Sequence, residues 1–156
     1  MWCFDTILCH LVVKQEGGWA MRGEYQHSID TKGRVIFPVK LREELGEGFV
    51  IAKGLDNCIS VYSKSGWDEF YGRISAMPSK AERLKRFYSA NFECEPDAQG
   101  RILIPPTLRT YAGLNKDVTI VGLGDKAEIW DTDAWNKYNS EMSSEDIAAL
   151  MDSMGV

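Results

Sequence analysis

Apolar and polar positions fall along this chain in short blocks, not in one long period. Residues 23–30 alternate weakly and predict a strand that enters a turn over 30–33. Val35-Ile36-Phe37 is a short β-rich run. Helical spacing then takes over: Leu41 and Leu45 stand at i and i+4, Pro38 suits a first helical position, and Gly46 is a natural stop. Phe49-Val50-Ile51-Ala52 and Ile59-Ser60-Val61-Tyr62 predict a strand pair turning through 54–57. Ser63 offers an N-cap to a helix holding Trp67 and Phe70. A joint at 75–79 leads into a basic helix over 79–88 with Leu84, Phe87 and Tyr88 on its apolar side.

The same order of elements then returns. A strand at 89–95, a turn at 97–100, a strand at 101–104 and a helix from Pro105 to a stop at Gly113 are predicted. A strand pair at 118–121 and 127–130 comes next, turning through 122–125. Asp131 or Thr132 offers the cap of a helix holding Trp135 and Tyr138. The last helix spans 143–154. Ser143 and Asp146 have capping-box spacing, and Ile147, Leu150, Met151 and Met154 form an apolar stripe.

This recurrence is an internal duplication. Asp30-Thr31-Lys32-Gly33-Arg34-Val35-Ile36-Phe37-Pro38 and Asp97-Ala98-Gln99-Gly100-Arg101-Ile102-Leu103-Ile104-Pro105 both read Asp-x-x-Gly-Arg, three apolar residues, Pro. The offset of 67 residues also carries Leu41 to Leu108, Arg42 to Arg109 and Leu45 to Ala112. At 68 it carries Tyr62 to Trp130 and Trp67 to Trp135. Two copies do not make a solenoid; they predict two supersecondary units packed face to face.

Composition narrows the class. With 156 residues and 44% hydrophobic content, the chain suffices for one compact domain or two small halves sharing a core. A net charge of −5 argues against a uniformly basic nucleic-acid binder, so the distribution of charge matters more than the sum. Residues 80–89 are net +3, whereas 90–140 are −3 and 141–156 are −4. Cys3, Cys9, Cys58 and Cys94 lack Cys-x-x-Cys spacing, and only His10 and His27 accompany them. No zinc site is expected, and the thiols read as buried or incidental in a reducing compartment.

Residues 1–20 do not match the rest of the chain. The apolar run over 7–13 is too short to span a bilayer and lacks a preceding basic region. Gln15-Glu16-Gly17 can be encoded by CAG-GAG-GGN, which contains the ribosome-binding sequence AGGAGG a few codons before Met21. The expectation is a start at Met21 with 1–20 a translated leader; the alternative is a real N-terminal arm.

Arg22-Gly23-Glu24-Tyr25, the twice-used Asp-x-x-Gly-Arg motif, Arg42-Glu43-Glu44-Leu45-Gly46 and Glu128-Ile129-Trp130 resemble the MraZ family, bacterial transcriptional regulators related to the AbrB swapped-hairpin DNA-binding fold. The resemblance covers Met21 to about Met151. It implies an α+β, mainly β fold: two tandem AbrB-like repeats forming an intrachain pseudo-dimer, a swapped-hairpin barrel with short peripheral helices. The corresponding division is an extension at 1–20, a first repeat at 21–79, a linker helix at 80–89, a second repeat at 90–140 and a C-terminal helix and tail at 141–156. The resemblance further implies a ring-shaped homo-oligomer on direct repeats in double-stranded DNA. These lie upstream of its own division and cell-wall operon, which it represses from the cytoplasm and nucleoid. By match to the motif, Arg34 and Arg101 are the DNA-contacting residues, and Lys32 contacts phosphate. Gln99 replaces that lysine in the second copy, so equal engagement by both halves is not implied.

The residues themselves leave two readings open. Arg34 and Arg101 follow a turn and start a strand, where a guanidinium can project beside a groove-entering ribbon and bind guanine O6 and N7. Alternatively each forms an internal ion pair with Asp30 or Asp97 that locks the turn. Asp30 and Asp97 are turn formers before they are catalytic carboxylates, and Gly33 and Gly100 supply positive φ. The helix over 80–88 reads as a solvated linker before a phosphate-tracking face. Trp67, Trp130, Trp135 and Phe87 read as core or subunit-contact residues. The last helix is expected to pack on its own chain, with docking on a neighbour as the sharper possibility.

Three functions are compatible with these residues. The first is a sequence-specific DNA-binding repressor without cofactor, metal or small-molecule substrate. The second is an antitoxin-like protein-interaction module on the same fold. The third, an enzyme, finds no nucleophile–base pair, metal-ligand spacing or phosphate loop in the sequence.

Overall fold

The structure is a computed structural model that describes residues 20–77 and 81–156. The expected leader over 1–20 falls almost wholly outside the described residues. Among the described residues, eight strands and six α-helices follow in order, with one 3-10 turn at Leu55–Asn57. The first half comprises β1 (Met21–Ser28), β2 (Arg34–Ile36), α1 (Val39–Leu45), β3 (Phe49–Lys53), β4 (Ile59–Ser63), α2 (Lys64–Ser75) and α3 (Ala81–Phe87). The second comprises β5 (Asn91–Cys94), β6 (Arg101–Leu103), α4 (Pro106–Ala112), β7 (Asp117–Gly124), β8 (Ala127–Asp131), α5 (Thr132–Ser140) and α6 (Ser144–Met154).

Six strands form an antiparallel sheet in the order β1-β7-β8-β4-β3-β5, and β2 pairs with β6 in a separate two-stranded ribbon. The first strand of each half therefore pairs with the other half. β1 runs against β7 with Tyr25 opposite Ile120, and β5 runs against β3 with Phe92 opposite Ile51. The halves also meet at β4 and β8, where Ser60 faces Glu128. Tyr25 and Phe92 correspond at an offset of 67 and Ile51 and Ile120 at 69, so equivalent strands pair in both halves and the halves are related by a local two-fold. The barrel expected from the resemblance differs from this pairing. β1 and β5 end the six-stranded sheet as edges, and β2 and β6 pair with each other in the separate ribbon, so the described strands close no barrel.

One core serves both halves. Phe37, Leu41, Phe49, Ile51, Ile59 and Val61 from the first pack with Ile102, Ile104, Leu108, Ile120 and Ile129 from the second, all at most 1% exposed. Each such side chain contributes about 1.5–3 kcal/mol by leaving water. Phe37 and Phe49 pack with ring centroids 5.1 Å apart. On the outer face of the sheet, α2 lays Trp67 and Ile74 over Val50 and Ala52. α5 sets Trp135 beside Trp130 and Val121.

Local sequence accounts for the helix ends. Ser63 accepts the Gly66 N–H at 3.0 Å and caps α2, and Asp131 accepts from Ala134 to cap α5. Pro38 and Pro105, expected as first helical residues, stand instead as N-caps with extended ψ, one position before the helices begin; Pro106 is the first helical residue of α4. α3 does not stand free in solvent. It packs on α2 through Ala81 and Tyr88, both buried, while its basic residues face outward.

α6 overturns the expectation that it packs on its own chain. Ser143 and Asp146 form the reciprocal capping box, yet all eleven helical residues are exposed. Ile147, Leu150, Met151 and Met154 present their stripe to solvent at 42–70% exposure. In the first half the helix after the Trp-bearing helix folds back; in the second half it does not.

Candidate nucleic-acid interface

The site begins with a four-residue turn used twice. Gly33 donates its N–H to the Asp30 carbonyl at 3.0 Å, and Gly100 donates to the Asp97 carbonyl at 2.9 Å. Asp30 Oδ1 accepts the N–H groups of Lys32 and Arg34 at 2.9 and 2.8 Å. Asp97 Oδ1 accepts those of Gln99 and Arg101, both at 2.9 Å. Gly33 and Gly100 sit at φ +80° and +78°, where a side chain is strained.

The second carboxylate oxygen of each aspartate takes the arginine. Arg34 Nε donates to Asp30 Oδ2 at 2.8 Å, and Arg101 Nε donates to Asp97 Oδ2 at 2.8 Å. Each arginine side chain is 29% exposed. The contact uses Nε, so neither terminal nitrogen of either guanidinium has a hydrogen-bond partner among the described residues. The ion pair and the groove-facing role are thus compatible. The aspartate holds the guanidinium plane, and the outer N–H groups are left for a ligand. Hydrogen bonding from the Arg34 N–H, above all, holds the Asp30 carboxyl below its usual range. The Arg101 N–H does the same for Asp97.

The ribbon places these groups on one surface. Val35 pairs with Ile102, and both point into the core at 1% exposure. Strand alternation turns Arg34, Ile36, Arg101 and Leu103 to the outside. Arg34 lies opposite Leu103, and Arg101 lies opposite Ile36. Phe37 N–H donates to the Gly100 carbonyl and Ile104 N–H to the Gly33 carbonyl, both at 2.9 Å, which pins each turn to the other half. Lys32 is exposed at one turn, and its counterpart Gln99 is exposed at the other.

Two further residues build the site. Arg42 on α1 lies under Gly100, and Arg109 on α4 lies under Gly33. Arg42 Nε donates to the Phe37 carbonyl at 3.0 Å, whereas Arg109 Nε is buried without a partner among the described residues. The sequence contained their signal, an arginine retained at the repeat offset, but nothing in it showed that each would cross to the other copy's turn. Helix α3 and its basic residues belong to the outer layer with α2, apart from the ribbon.

Other chemistry is sparse among the described residues. Cys58 is buried and hydrogen-bonded to the Leu55 carbonyl at 2.9 Å; burial pushes its thiol far up, out of the reactive range. Cys94 is pushed up to about 12 by burial. Among the described residues, no group of three His, Cys, Asp or Glu side chains is placed to hold a metal, and no helix is long and apolar enough to cross a membrane.

Comparison with known proteins finds the same duplication of the chain. The family profile described as "MraZ protein, putative antitoxin-like" matches twice, over residues 20–89 and 87–154. A protein of Acetivibrio thermocellus named Transcriptional regulator MraZ is 46% identical over 140 residues, covering 86% of this chain and 98% of that protein. One of the same name from a Thermoanaerobacter species is 45% identical over 142 residues, covering 87% and 99%. One from Heliobacterium modesticaldum is 50% identical over 123 residues, covering 76% and 86%. Two profile matches spanning nearly all described residues, with relatives aligned over almost their whole length, show that the chain belongs to the MraZ family.

Proposed function

We propose that this protein is a sequence-specific DNA-binding transcriptional regulator that represses its own division and cell-wall operon. The observation that carries the reading is the ribbon. Two guanidiniums related by a local two-fold stand on one outer face, each oriented through Nε and open at its outer nitrogens. A two-stranded ribbon fits the major groove, and arginine there binds guanine O6 and N7. Arg34 and Arg101 read bases, Lys32 meets phosphate, and Asp30, Gly33, Asp97 and Gly100 hold the turns. The relatives' name, Transcriptional regulator, supports the same reading. On this reading the two cross-paired halves act as a swapped-hairpin pseudo-dimer, in the cytoplasm at the nucleoid and without catalysis.

A net charge of −5 limits what one chain gains from phosphate contacts. Self-association answers this: several copies on direct repeats gain effective concentration without new contacts. The unpartnered stripe of α6 is the surface for a ring-shaped homo-oligomer. Footprinting on DNA upstream of the gene tests the proposal; protection of regularly spaced repeats is expected, and uniform or absent protection contradicts it. The antitoxin-like wording of the family description favours a second reading, a protein-interaction module on the same fold. Copurification of a stoichiometric partner protein in place of DNA would support it.

A further inference from the structure

The outer face of the ribbon carries more than its arginines. Ile36 is 48% exposed and Leu103 is 57% exposed. An isolated exposed aliphatic is ordinary on a protein surface. These two occupy the same position in both copies of the repeat, on the same face, each directly across the ribbon from an arginine. Side chains opposed in an antiparallel pair have Cβ atoms about 4.5–5.5 Å apart. The face is therefore two arginine–aliphatic pairs, Arg34 with Leu103 and Arg101 with Ile36. Each pair draws one member from each half of the chain.

Only one group in the major groove is apolar, the C5-methyl of thymine. Side chains whose Cβ atoms stand about 5 Å apart across the ribbon enter the groove side by side, so an aliphatic beside an arginine seated on guanine is within reach of a neighbouring base pair, since stacked pairs repeat about every 3.4 Å along each strand. We infer that Ile36 and Leu103 are specificity-determining residues that contact thymine methyl groups beside the guanines read by Arg101 and Arg34. The inference rests on the DNA-binding reading proposed above. The outer nitrogens of Arg34 and Arg101, which have no hydrogen-bond partner among the described residues, and the exposed Lys32 at the margin suit an acceptor-rich partner such as DNA over a purely apolar one. The local two-fold makes the two arginine–aliphatic pairs run in opposite directions along the ribbon.

The test is fluorescence anisotropy with the full chain on duplex DNA from immediately upstream of its gene, with thymines replaced singly by uracil. Uracil lacks only the methyl group and keeps the O4 acceptor. Wild type is expected to lose about fourfold affinity at a contacted thymine, the worth of one buried methyl. Ile36→Ser and Leu103→Ser are each expected to lose the discrimination at one contacted thymine and keep it at the other, the Ile36→Ser, Leu103→Ser double variant is expected to bind thymine and uracil duplexes equally at every position, and Ile36→Val keeps the discrimination. Wild type binding every uracil duplex as tightly as the thymine duplex overturns the inference while leaving the DNA reading intact. So does retained discrimination in the double serine variant, or a change confined to its oligomeric state. Failure of wild type to prefer its upstream DNA over a scrambled duplex overturns both.

Discussion

The guanidinium of Arg42, in the first repeat, lies directly under Gly100, in the second. A Cβ added to Gly100 would stand 2.9 Å from Arg42 Cζ. Arg109 lies under Gly33 in the same way, with Cζ 2.8 Å from the added Cβ. Each Asp-x-x-Gly-Arg turn is thus built on an arginine from the opposite half, and neither candidate DNA-binding turn is complete within its own repeat.

Alanine at Gly33 or Gly100 meets two obstacles. The positive φ costs about 1–2 kcal/mol for a residue with a Cβ. The contact with arginine adds strain that a flexible side chain can partly relieve by moving. Urea denaturation is expected to show Gly100→Ala destabilised by roughly that amount. Adding Arg42→Ala should recover only the steric part, giving a coupling between residues of different repeats. Strict additivity would show that the arginine does not shape the turn.

The aspartates give a sign to the pH dependence. The Asp30 and Asp97 carboxyls are lowered below 3.8 in the fold, first by backbone N–H donation from Arg34 and Arg101. A lowered folded value means stability that is fully present above the unfolded value and is lost as pH falls through the folded one. In melting curves, wild type and an Asp30→Asn, Asp97→Asn double variant should differ by a constant amount at neutral pH. The gap should close below about pH 4, where the wild-type carboxyls gain protons. A gap that widens on acidification would contradict the assigned hydrogen bonds.

The exposed stripe of α6 predicts a solution property. Leu150→Asp and Met151→Asp change residues 47% and 45% exposed, so monomer stability should move by no more than about 0.5 kcal/mol. Sedimentation is expected to show smaller assemblies for the variants than for wild type. An unchanged assembly would place the self-contact elsewhere.

Much of this arrangement was legible in the sequence. The twice-used motif located both turns, and the apolar triplets located β2 and β6. Ser63, Asp131 and Ser143 announced their helices, because a cap is a local hydrogen bond between near neighbours. Partner choice was not legible. Nothing in Met21–Ser28 shows that it pairs with Asp117–Gly124 and not within its own repeat, since strand periodicity fixes a face and not a neighbour. That pairing also explains why β7 spans eight residues while its counterpart β3 spans five: each is as long as its partners allow. That Arg34 bonds Asp30 through Nε, which leaves the ion pair and a groove contact compatible, is recorded by no sequence. The detachment of α6 was equally hidden, because an apolar stripe looks the same whether its partner is the same chain or another.

The central claim is that Arg34 and Arg101 read DNA from the ribbon face. The direct measurement is fluorescence anisotropy of wild type, Arg34→Ala, Arg101→Ala and the double variant on DNA upstream of the gene and on a scrambled duplex, across a salt series. Wild type is expected to prefer its own DNA. Each single variant should lose about 1–3 kcal/mol of that preference, the worth of one bidentate guanine contact, and the double variant should bind both duplexes alike. A double variant that keeps the wild-type preference would show that the arginines serve only to lock their turns, and would move the DNA-binding face away from the ribbon.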